Sequence, residues 1–256
     1  MENATRQTDT TPRRASLVTK VTRLASEALL ETLWPTRCAV CDEPGELLCG
    51  PCRLGLPYID WWRACPRCGA PFGRVQCSEC NPVMLGATGR TAPPFASAAS
   101  AVSYESAARR LVTTYKDRGE RRLAGTMAAL MAPYVAPGWR DGLQAVTFVP
   151  ATPAARRRRG FDHAELLAQA VAEELGIACI DVLRRPHSFD QRRLSRAARL
   201  ANMEGSMQAL PGATLPRSVL LVDDVCTTGA TLFAASEALR EAGAVCVRCL
   251  TFARAW

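Results

Sequence analysis

The stretch VLLVDDVCTTGATL, residues 219–232, decides how this chain folds. Its apolar start predicts a buried strand, and two carboxylates, Asp223 and Asp224, follow at the carboxyl end of that strand. Carboxylates are hydrogen-bond acceptors, and beside an anion site they suit the hydroxyls of a ribose. The pattern therefore predicts a sugar-phosphate ligand at this end of the strand.

The loop after the two carboxylates, residues 226–231, predicts the anion site itself. Its backbone amides, the hydroxyls of Thr227 and Thr228, and the N-terminus of the helix that follows suit a phosphate dianion. Gly229 allows a positive φ or a close approach of the backbone to that phosphate. The loop lacks the Gly-Lys-Ser/Thr of a Walker A loop.

Outward from this stretch, apolar runs alternate with helical patterns, which is typical of a mostly parallel sheet flanked by helices on both faces. The predicted strands are residues 97–104, 144–149, 177–182, 218–224 and 244–252. The predicted helices are residues 105–117, 121–134, 162–175 and 230–242. Because ligands of such sheets bind beyond the carboxyl ends of the strands, we expect the functional residues just after the strands.

Length and composition limit the number of domains and the broad class of the protein. With 256 residues, 48% hydrophobic and 22% charged, the chain suits one main domain and a smaller module, and wholesale disorder or a fibrous repeat is excluded. Neither a membrane-spanning run of about 18 apolar residues nor a secretory signal is found in the sequence, so we expect a cytoplasmic protein. The net charge of +8 is compatible with nucleic acid, nucleotide or phosphate partners.

Eight of the twelve cysteines form four C-x-x-C pairs in two copies of one unit. The pairs are Cys38/Cys41, Cys49/Cys52, Cys65/Cys68 and Cys77/Cys80. Gly and Pro beside the sulfurs favour tight turns, and two such turns complete a four-thiolate shell around Zn²⁺. We predict two structural zinc ribbons, in which four thiolate ligands leave no open coordination position for catalysis.

Two alternatives concern these cysteines. A disulfide framework would suit a small secreted domain better than this chain, and cross-braced pairing is the alternative to sequential pairing, which needs only short loops. Cys246 and Cys249 also have C-x-x-C spacing, but they lie in a β-branched run without Gly or Pro. We interpret them, and Cys179, as core cysteines of strands.

The rest of the chain divides around these modules. Residues 1–33 are predicted to be a disordered start and a short amphipathic helix, which packs on the ribbons or binds a membrane surface or a partner. The double zinc ribbon takes residues 34–82, a Gly- and Pro-containing linker residues 83–95, and the α/β domain residues 96–256.

The 219–232 stretch resembles the phosphoribosyl-pyrophosphate (PRPP) binding motif of type I phosphoribosyltransferases, which implies that fold for residues 96–256. Together with the Cys-rich front, the chain resembles the ComF family of bacterial competence-associated proteins over roughly residues 34–256. Three other segments carry the resemblance: TYKDRGERRLAG at 114–125, VPATPAARRRRGFDHAELLA at 149–168 and SFDQRRLSRAARLAN at 188–202.

The resemblance implies roles for particular residues. Asp223 and Asp224 would hold the ribose hydroxyls, and the 5-phosphate would lie on the loop residues Cys226, Thr227, Thr228, Gly229, Ala230 and Thr231. The loop with Arg156 to Arg159 and Gly160 stands where the family binds pyrophosphate; a solvated loop or a nucleic-acid patch is the alternative. The implied binding residues there are Arg158 and Gly160, and the implied catalytic residues are Arg159, Lys116 and the two Asp, although a lone Lys is often only a surface charge.

A mobile flap is implied for residues 184–202. The residues that match the family there are Gln191, Ser195, Arg199 and Asn202, while Ser188 replaces a usual Thr. Asp162 and His163 stand where the family usually has Asn-Gln, and Ala151-Thr152 also departs from the pattern. These departures bear on the acceptor rather than on PRPP.

The implied reaction is displacement of pyrophosphate from C1 of PRPP by an unidentified acceptor. Mg²⁺ would bind with PRPP, the arginines would offset charge on the leaving group, and two zinc ions would be structural. The first hypothesis is thus a ComF-like phosphoribosyltransferase or PRPP-sensing protein, linked to DNA uptake or nucleotide metabolism.

Two other function classes are weighed against it. A single-stranded-DNA-binding protein of the competence machinery would use ribbons or Arg loops on DNA, its phosphoribosyltransferase fold being silent. Residues 38–80 carry four basic and five acidic side chains, whereas residues 156–199 carry ten Arg and six acids, which favours the Arg loops. We expect the aromatic residues of the ribbon region to form a small core or a contact with the large domain rather than to stack bases. They are Tyr58, Trp61, Trp62 and Phe72. Thiol redox chemistry is disfavoured because redox work needs only single C-x-x-C pairs.

Overall fold

The structure is a computed structural model that describes residues 35–86, 89–185 and 207–255. The predicted N-terminal helix and the flap residues Ser188, Gln191, Ser195, Arg199 and Asn202 lie outside the described residues. Among the described residues, no helix is long and apolar enough to cross a membrane.

The large domain is built on a five-stranded, fully parallel sheet in the order β1-β7-β6-β2-β3. Its strands are β1 Ser97–Ser103, β2 Ala145–Phe148, β3 Ala178–Cys179, β6 Ser218–Cys226 and β7 Cys246–Arg254. A separate antiparallel pair joins β4 Leu183–Arg184 to β5 Gln208–Ala209. The central strand β6 contains the carboxylate pair at its carboxyl end, as predicted.

Helices cover both faces of this sheet. Those of the large domain are α3 Ser106–Lys116, α4 Leu123–Met131, α5 Pro137–Arg140, α6 Pro153–Arg159, α7 His163–Leu175 and α8 Ala230–Glu241. Two short helices precede them, α1 Gly50–Leu54 in the first ribbon and α2 Pro82–Gly86 after the second. On β6, Leu220 and Val222 pack with α3, α4 and α7, whereas Val219 and Leu221 pack with α8. The strand is therefore buried on both faces, as its continuous apolar run requires.

The segment between β2 and α7 corrects one prediction. Arg156 to Arg159 were expected in a loop, but they lie on α6, whose start is capped by the Thr152 Oγ1, which accepts from Ala155 N at 3.2 Å. Gly160 ends the helix in the left-handed region with φ 75°. The capping residue, the proline after it and the terminal glycine are all helix signals that the Arg-rich composition obscured.

Two further predictions change in detail. The strand expected over residues 177–182 is only two residues long, because β3 is an edge strand with β2 as its one partner. Cys249 is fully buried on β7, as predicted for a core cysteine. Cys179 is half-buried and packs against the core, whereas Cys246 is half-buried and lies outside both core clusters of the described residues.

The ribbon region attaches along the outer side of β1. Ile59 N donates to Ala101 O at 3.0 Å, Ser103 N donates to Pro57 O at 2.8 Å, and Ala98 N donates to Arg67 O at 3.0 Å. The first ribbon is also tethered to α3, where Arg110 Nη1 donates to Val40 O at 3.0 Å. These bonds hold the two modules as neighbours along one edge of the sheet.

The segment predicted as a linker also packs on the large domain. Leu85, in α2, and Phe95 are both buried against residues of α8. Arg90 forms a 2.8 Å ion pair with Glu237 of α8. The connection between the modules is thus held by apolar and ionic contacts.

Candidate functional site

The loop that follows β6 has the geometry expected of an anion site. It runs from Cys226, the last residue of β6, to Gly229, which caps α8 with φ 77°. A Cβ at Gly229 would lie 3.7 Å from the Phe233 ring, an ordinary contact, so the glycine is needed for its backbone conformation rather than for space. The first turn of α8, Ala-Thr-Leu-Phe, contains no carboxylate, and the positive end of the helix is not neutralised from within that turn.

The carboxylate pair lies buried just before this loop. Asp224 Oδ2 accepts from Lys116 Nζ at 2.7 Å, and its Oδ1 lies 3.7 Å from His163 Nε2. Asp223 Oδ1 accepts from the backbone amide of Asp224 at 2.8 Å. Lys116, at the end of α3, is therefore part of the site and not a free surface charge.

The two carboxyls differ in their electrostatics. Burial raises the pKa of Asp223 well above its ordinary value, and the charge of Asp224 raises it further. Burial would also raise the pKa of Asp224, but the Lys116 ammonium and His163 outweigh it and hold that pKa below its usual range. The two carboxyls are therefore electrostatically unequal, and Asp223 takes up a proton more readily than Asp224.

His163 and Asp162, the two departures from the family pattern, both have defined contacts. Asp162 Oδ1 accepts from Ala164 N at 3.0 Å and caps α7, while its Oδ2 accepts from Ala151 N at 2.8 Å. Arg159 Nη1 lies 3.4 Å from His163 Nδ1. With Arg159 as the donor, His163 carries its proton on Nε2, the nitrogen that faces Asp224. His163 is thus a site residue whose contact with Asp224 was not predicted from the sequence.

These groups surround a cavity of about 310 Å³ at the carboxyl edge of the sheet. Its wall consists of Tyr104, Val112, Lys116, Val149, Pro150, Ala151, His163, Arg185, Asp223, Asp224, Val225, Thr227 and Thr231. The volume is at the lower end of the range typical of small-molecule sites, which is about 300–1,000 Å³. Cationic, acidic and hydroxyl groups face one another across it, as a phosphorylated sugar requires.

The structure places the other predicted residues around this cavity in different ways. Cys226 and Ala230 are buried at the two ends of the loop, and Thr228 and Gly229 line a small cavity of about 30 Å³ on its far side. Arg159 is half-buried, and its Nη2 pairs with Asp117 at 3.3 Å. Within the part of the chain that the structure describes, Arg158 and Gly160 are exposed and lie outside the cavity wall.

The eight ribbon cysteines form the two sets that sequential pairing predicts. The sets are Cys38, Cys41, Cys49 and Cys52, and Cys65, Cys68, Cys77 and Cys80, each with its sulfurs within 4.8 Å of one another. The Cys41–Cys49 and Cys68–Cys77 sulfurs are 3.6 and 3.5 Å apart. A tetrahedral Zn–S distance of about 2.3 Å separates ligand sulfurs by about 3.8 Å, so both sets fit structural zinc.

Comparisons with known proteins agree with both modules. The family model described as "Double zinc ribbon domain" matches residues 29–82, and that described as "Phosphoribosyl transferase domain" matches residues 162–255. The "DNA utilization protein YhgH" of Salmonella typhi is 29% identical over 223 residues, which is 78% of this chain and 94% of the relative.

Two relatives with competence names match over shorter lengths. "Competence protein F" of Haemophilus influenzae is 36% identical over 116 residues, 44% of this chain and 51% of the relative. "Competence protein ComFC" of Streptococcus pneumoniae is 32% identical over 106 residues, 41% of this chain and 46% of the relative. The chain is thus similar to proteins of the ComF family.

The chain has the fold of a type I phosphoribosyltransferase, preceded by a double zinc ribbon, as the sequence predicted. The sequence did not predict that His163 and Arg185 line the cavity. Only the resemblance itself could have signalled them, because both come to the site through long-range packing.

Proposed function

We propose that the chain binds PRPP with Mg²⁺ at the cavity formed by Asp223, Asp224 and the loop 226–231, and that it transfers or senses the phosphoribosyl group. One observation carries the proposal: a buried, asymmetric carboxyl pair is followed directly by an anion loop. The two carboxyls suit the two ribose hydroxyls, and the loop amides suit the 5-phosphate.

The donor set is also compatible with a divalent cation. Ligand atoms of His163, Asp223 and Asp224 lie within 4.8 Å of one another. When bound with PRPP, Mg²⁺ would neutralise the pyrophosphate and ribose oxygens that otherwise repel the carboxylates. Lys116 now balances the charge of Asp224, so the ligand must replace or share that ion pair.

For group transfer, the bond from C1 to pyrophosphate breaks and a bond from C1 to the acceptor forms. Arg159, held beside His163 and Asp117, is the cation of α6 nearest the cavity. Arg156 to Arg158 are exposed on the same helix and could meet a leaving pyrophosphate from the solvent side. We assign charge neutralisation to this helix and no general base to the described residues.

Calorimetry tests the binding site. Wild-type protein should bind PRPP more tightly with Mg²⁺ than without it, and Asp224→Asn should weaken binding about tenfold or more because the charged acceptor is lost. Asp141 is exposed, follows α5 and lies outside the cavity wall. Asp141→Asn is therefore the matched control and should bind PRPP as wild type does. No heat with PRPP in folded, zinc-loaded wild type would overturn the proposal.

A second measurement separates transfer from sensing. Pyrophosphate release is followed with purine, pyrimidine and nicotinate-like acceptors in turn. Release with one class identifies the acceptor and a transferase. PRPP binding without release for every class identifies a PRPP-sensing protein.

Single-stranded DNA binding is a second candidate function, because the second ribbon exposes an aromatic surface. Trp61, Trp62 and Phe72 are 68%, 56% and 55% exposed, so the expectation that they form a core or a domain contact was wrong. Tyr58 does pair with Val102 of β1. Arg63 lies over the Phe72 ring at 4.6 Å. Exposed aromatic rings interleaved with Arg are typical of surfaces that stack unpaired bases.

A salt titration with single-stranded DNA locates such binding. Trp61→Ala with Trp62→Ala should weaken it about thirtyfold or more if both rings stack bases, at about 1–3 kcal/mol per base. Val75→Ala, at an apolar ribbon residue that is 99% exposed, is the control. If Arg157→Glu with Arg158→Glu abolishes binding instead and lowers the salt slope, the DNA site is on α6.

A further inference from the structure

We propose that Arg254 is a positioning residue that connects the second zinc cluster to the phosphate loop, so that ligand binding at residues 226–231 depends on zinc in that cluster. The ligand in this inference rests on the proposed function, whereas the mechanical connection does not. Arg254 is the last residue of β7 and pairs in register with Cys226, where the loop begins.

Arg254 lies between the two modules. It is only 4% exposed despite its charge. Its Nη1 donates to the Cys68 carbonyl at 2.8 Å and lies 3.4 Å from the Cys226 sulfur. Its Nη2 is 3.8 Å from a carboxylate oxygen of Glu79. One guanidinium therefore contacts a zinc-ligand residue, an acidic ribbon residue and the first residue of the loop.

The ribbon partners of Arg254 are both placed by the second cluster. Cys68 is itself a ligand of that cluster, and Glu79 lies between the ligands Cys77 and Cys80. The Glu79 amide donates to the Cys77 sulfur at 3.3 Å. The four sulfurs fit one zinc ion. Bound zinc would therefore fix the positions of the Cys68 carbonyl and the Glu79 carboxylate, which are the acceptors of Arg254.

The loop touches the same junction from the other side. A cavity of about 30 Å³, room for about one water molecule, has Cys68 and Glu79 on its ribbon wall and Thr228 and Gly229 on its loop wall. Arg254 completes this wall, and its Nε is buried without an acceptor among the described residues. A movement of Cys68 or Glu79 would therefore directly change the surroundings of Thr228 and Gly229 in the loop.

Loss of zinc should break this connection. Without the metal, Cys68 and Glu79 lose the support of the cluster, and a buried guanidinium that loses its acceptors is in a costly state. Relief requires that Arg254 turn towards solvent, which removes the support behind Cys226. Among the described residues, the first cluster makes no contact with Arg254, so zinc lost there should leave the loop unchanged.

Substitution of Arg254 tests the connection. Arg254→Met should weaken PRPP binding about tenfold, speed zinc transfer to a chelator and raise hydrogen exchange at the amides of residues 226–231. Arg254→Lys, which keeps one donor for the Cys68 carbonyl, should recover part of each loss. Arg248→Met is the matched control, because Arg248 is on the same strand and bonds Ser218 at 3.3 Å, away from the loop.

The readouts separate this inference from its alternatives. Equal exchange at residues 226–231 in Arg254→Met and Arg248→Met would overturn it, as would failure of Lys to rescue any readout. If wild type does not bind PRPP, the proposed function fails, but loop exchange and zinc transfer still decide the connection.

A metal-removal experiment covers the case in which Arg254→Met does not fold. Cys41→Ser leaves the second cluster as the intact four-cysteine set, and its zinc is titrated away with a chelator. Loop exchange should rise in proportion to the zinc removed. Loop exchange that stays constant until the whole domain unfolds would overturn the inference.

Discussion

The two zinc ribbons share one ligand pattern but meet the large domain differently. In the first, Cys38 is buried in the apolar cluster of α3, α4 and α7, but Cys41 is exposed and Cys49 and Cys52 are half-buried. In the second, Cys65, Cys68 and Cys80 are buried in the apolar cluster that contains residues of α8 and Cys226, and only Cys77 is half-buried. The first ribbon thus packs on the face of the sheet away from α8, whereas the second forms part of the wall of the small cavity behind the loop 226–231.

This difference does not come from the cysteines. The two units have nearly the same spacing, and both sets fit zinc. It comes from the residues between them and from what those residues touch, above all Gly69 and the Cys68 carbonyl. Repeated motifs in a sequence therefore need not have equal weight in a structure.

The largest expected effect comes from removing one cysteine ligand, and it should differ between the two clusters. Cys68→Ser should lose one zinc ion and more than about 4 kcal/mol of unfolding free energy, because Cys68 is buried and its carbonyl receives Arg254. Cys41→Ser should also lose one zinc ion but leave the large domain folded. Elemental analysis and denaturant unfolding, followed by circular dichroism, measure both.

The control for these variants is Cys246→Ser, at a half-buried thiol outside both clusters. It should keep both zinc ions and nearly all of its stability. Equal destabilisation by Cys68→Ser and Cys41→Ser would remove the distinction between the ribbons.

An intermediate effect comes from one glycine in each ribbon. At Gly69, with φ 70°, a Cβ would lie 2.7 Å from the Ala98 carbonyl oxygen of β1. At Gly45, with φ 119°, a Cβ would meet nothing within 4 Å. Both Ala variants carry backbone strain, but Gly69→Ala should cost about 2 kcal/mol more, because a backbone atom cannot move aside easily.

Urea unfolding of the two glycine variants measures this difference, with zinc content as a check that the clusters stay filled. Equal losses would mean that the second ribbon can shift away from β1 at no cost. That result would weaken the distinction between the two ribbons but would not affect the assignment of the two zinc sites.

The smallest expected effect is at the tether of the first ribbon. Arg110→Ala removes the exposed hydrogen bond to the Val40 carbonyl and should cost under about 1 kcal/mol. Both zinc ions should remain, and PRPP affinity should not change. A loss above about 2 kcal/mol would show that the first ribbon is held as firmly as the second.

The sequence predicted those parts of the site that depend on neighbouring residues. In the 219–232 stretch, strand, carboxylates, glycine and helix start follow one another, so each signal supports the next. The grouping of the ribbon cysteines was predicted for the same reason, since short loops bring sequential pairs together.

Features that depend on packing between distant segments escaped prediction. Arg254 and Cys68 are 186 residues apart, and no local pattern relates them. The exposure of Trp61 and Trp62 likewise depends on where β1 runs beneath the ribbon. The Arg-rich helix α6 is a different case, because its local signals were present and only its composition misled.

The bonds between the ribbon region and β1 have a consequence for how the chain behaves when metal is scarce. β1 is the terminal strand of the sheet, and residues 57–67 occupy backbone groups on its open side. An open strand edge is a template for pairing with other chains, and here a metal-dependent module covers it. We therefore expect zinc supply to affect solubility: chains refolded without zinc should self-associate, and light scattering should show that zinc added before refolding prevents it.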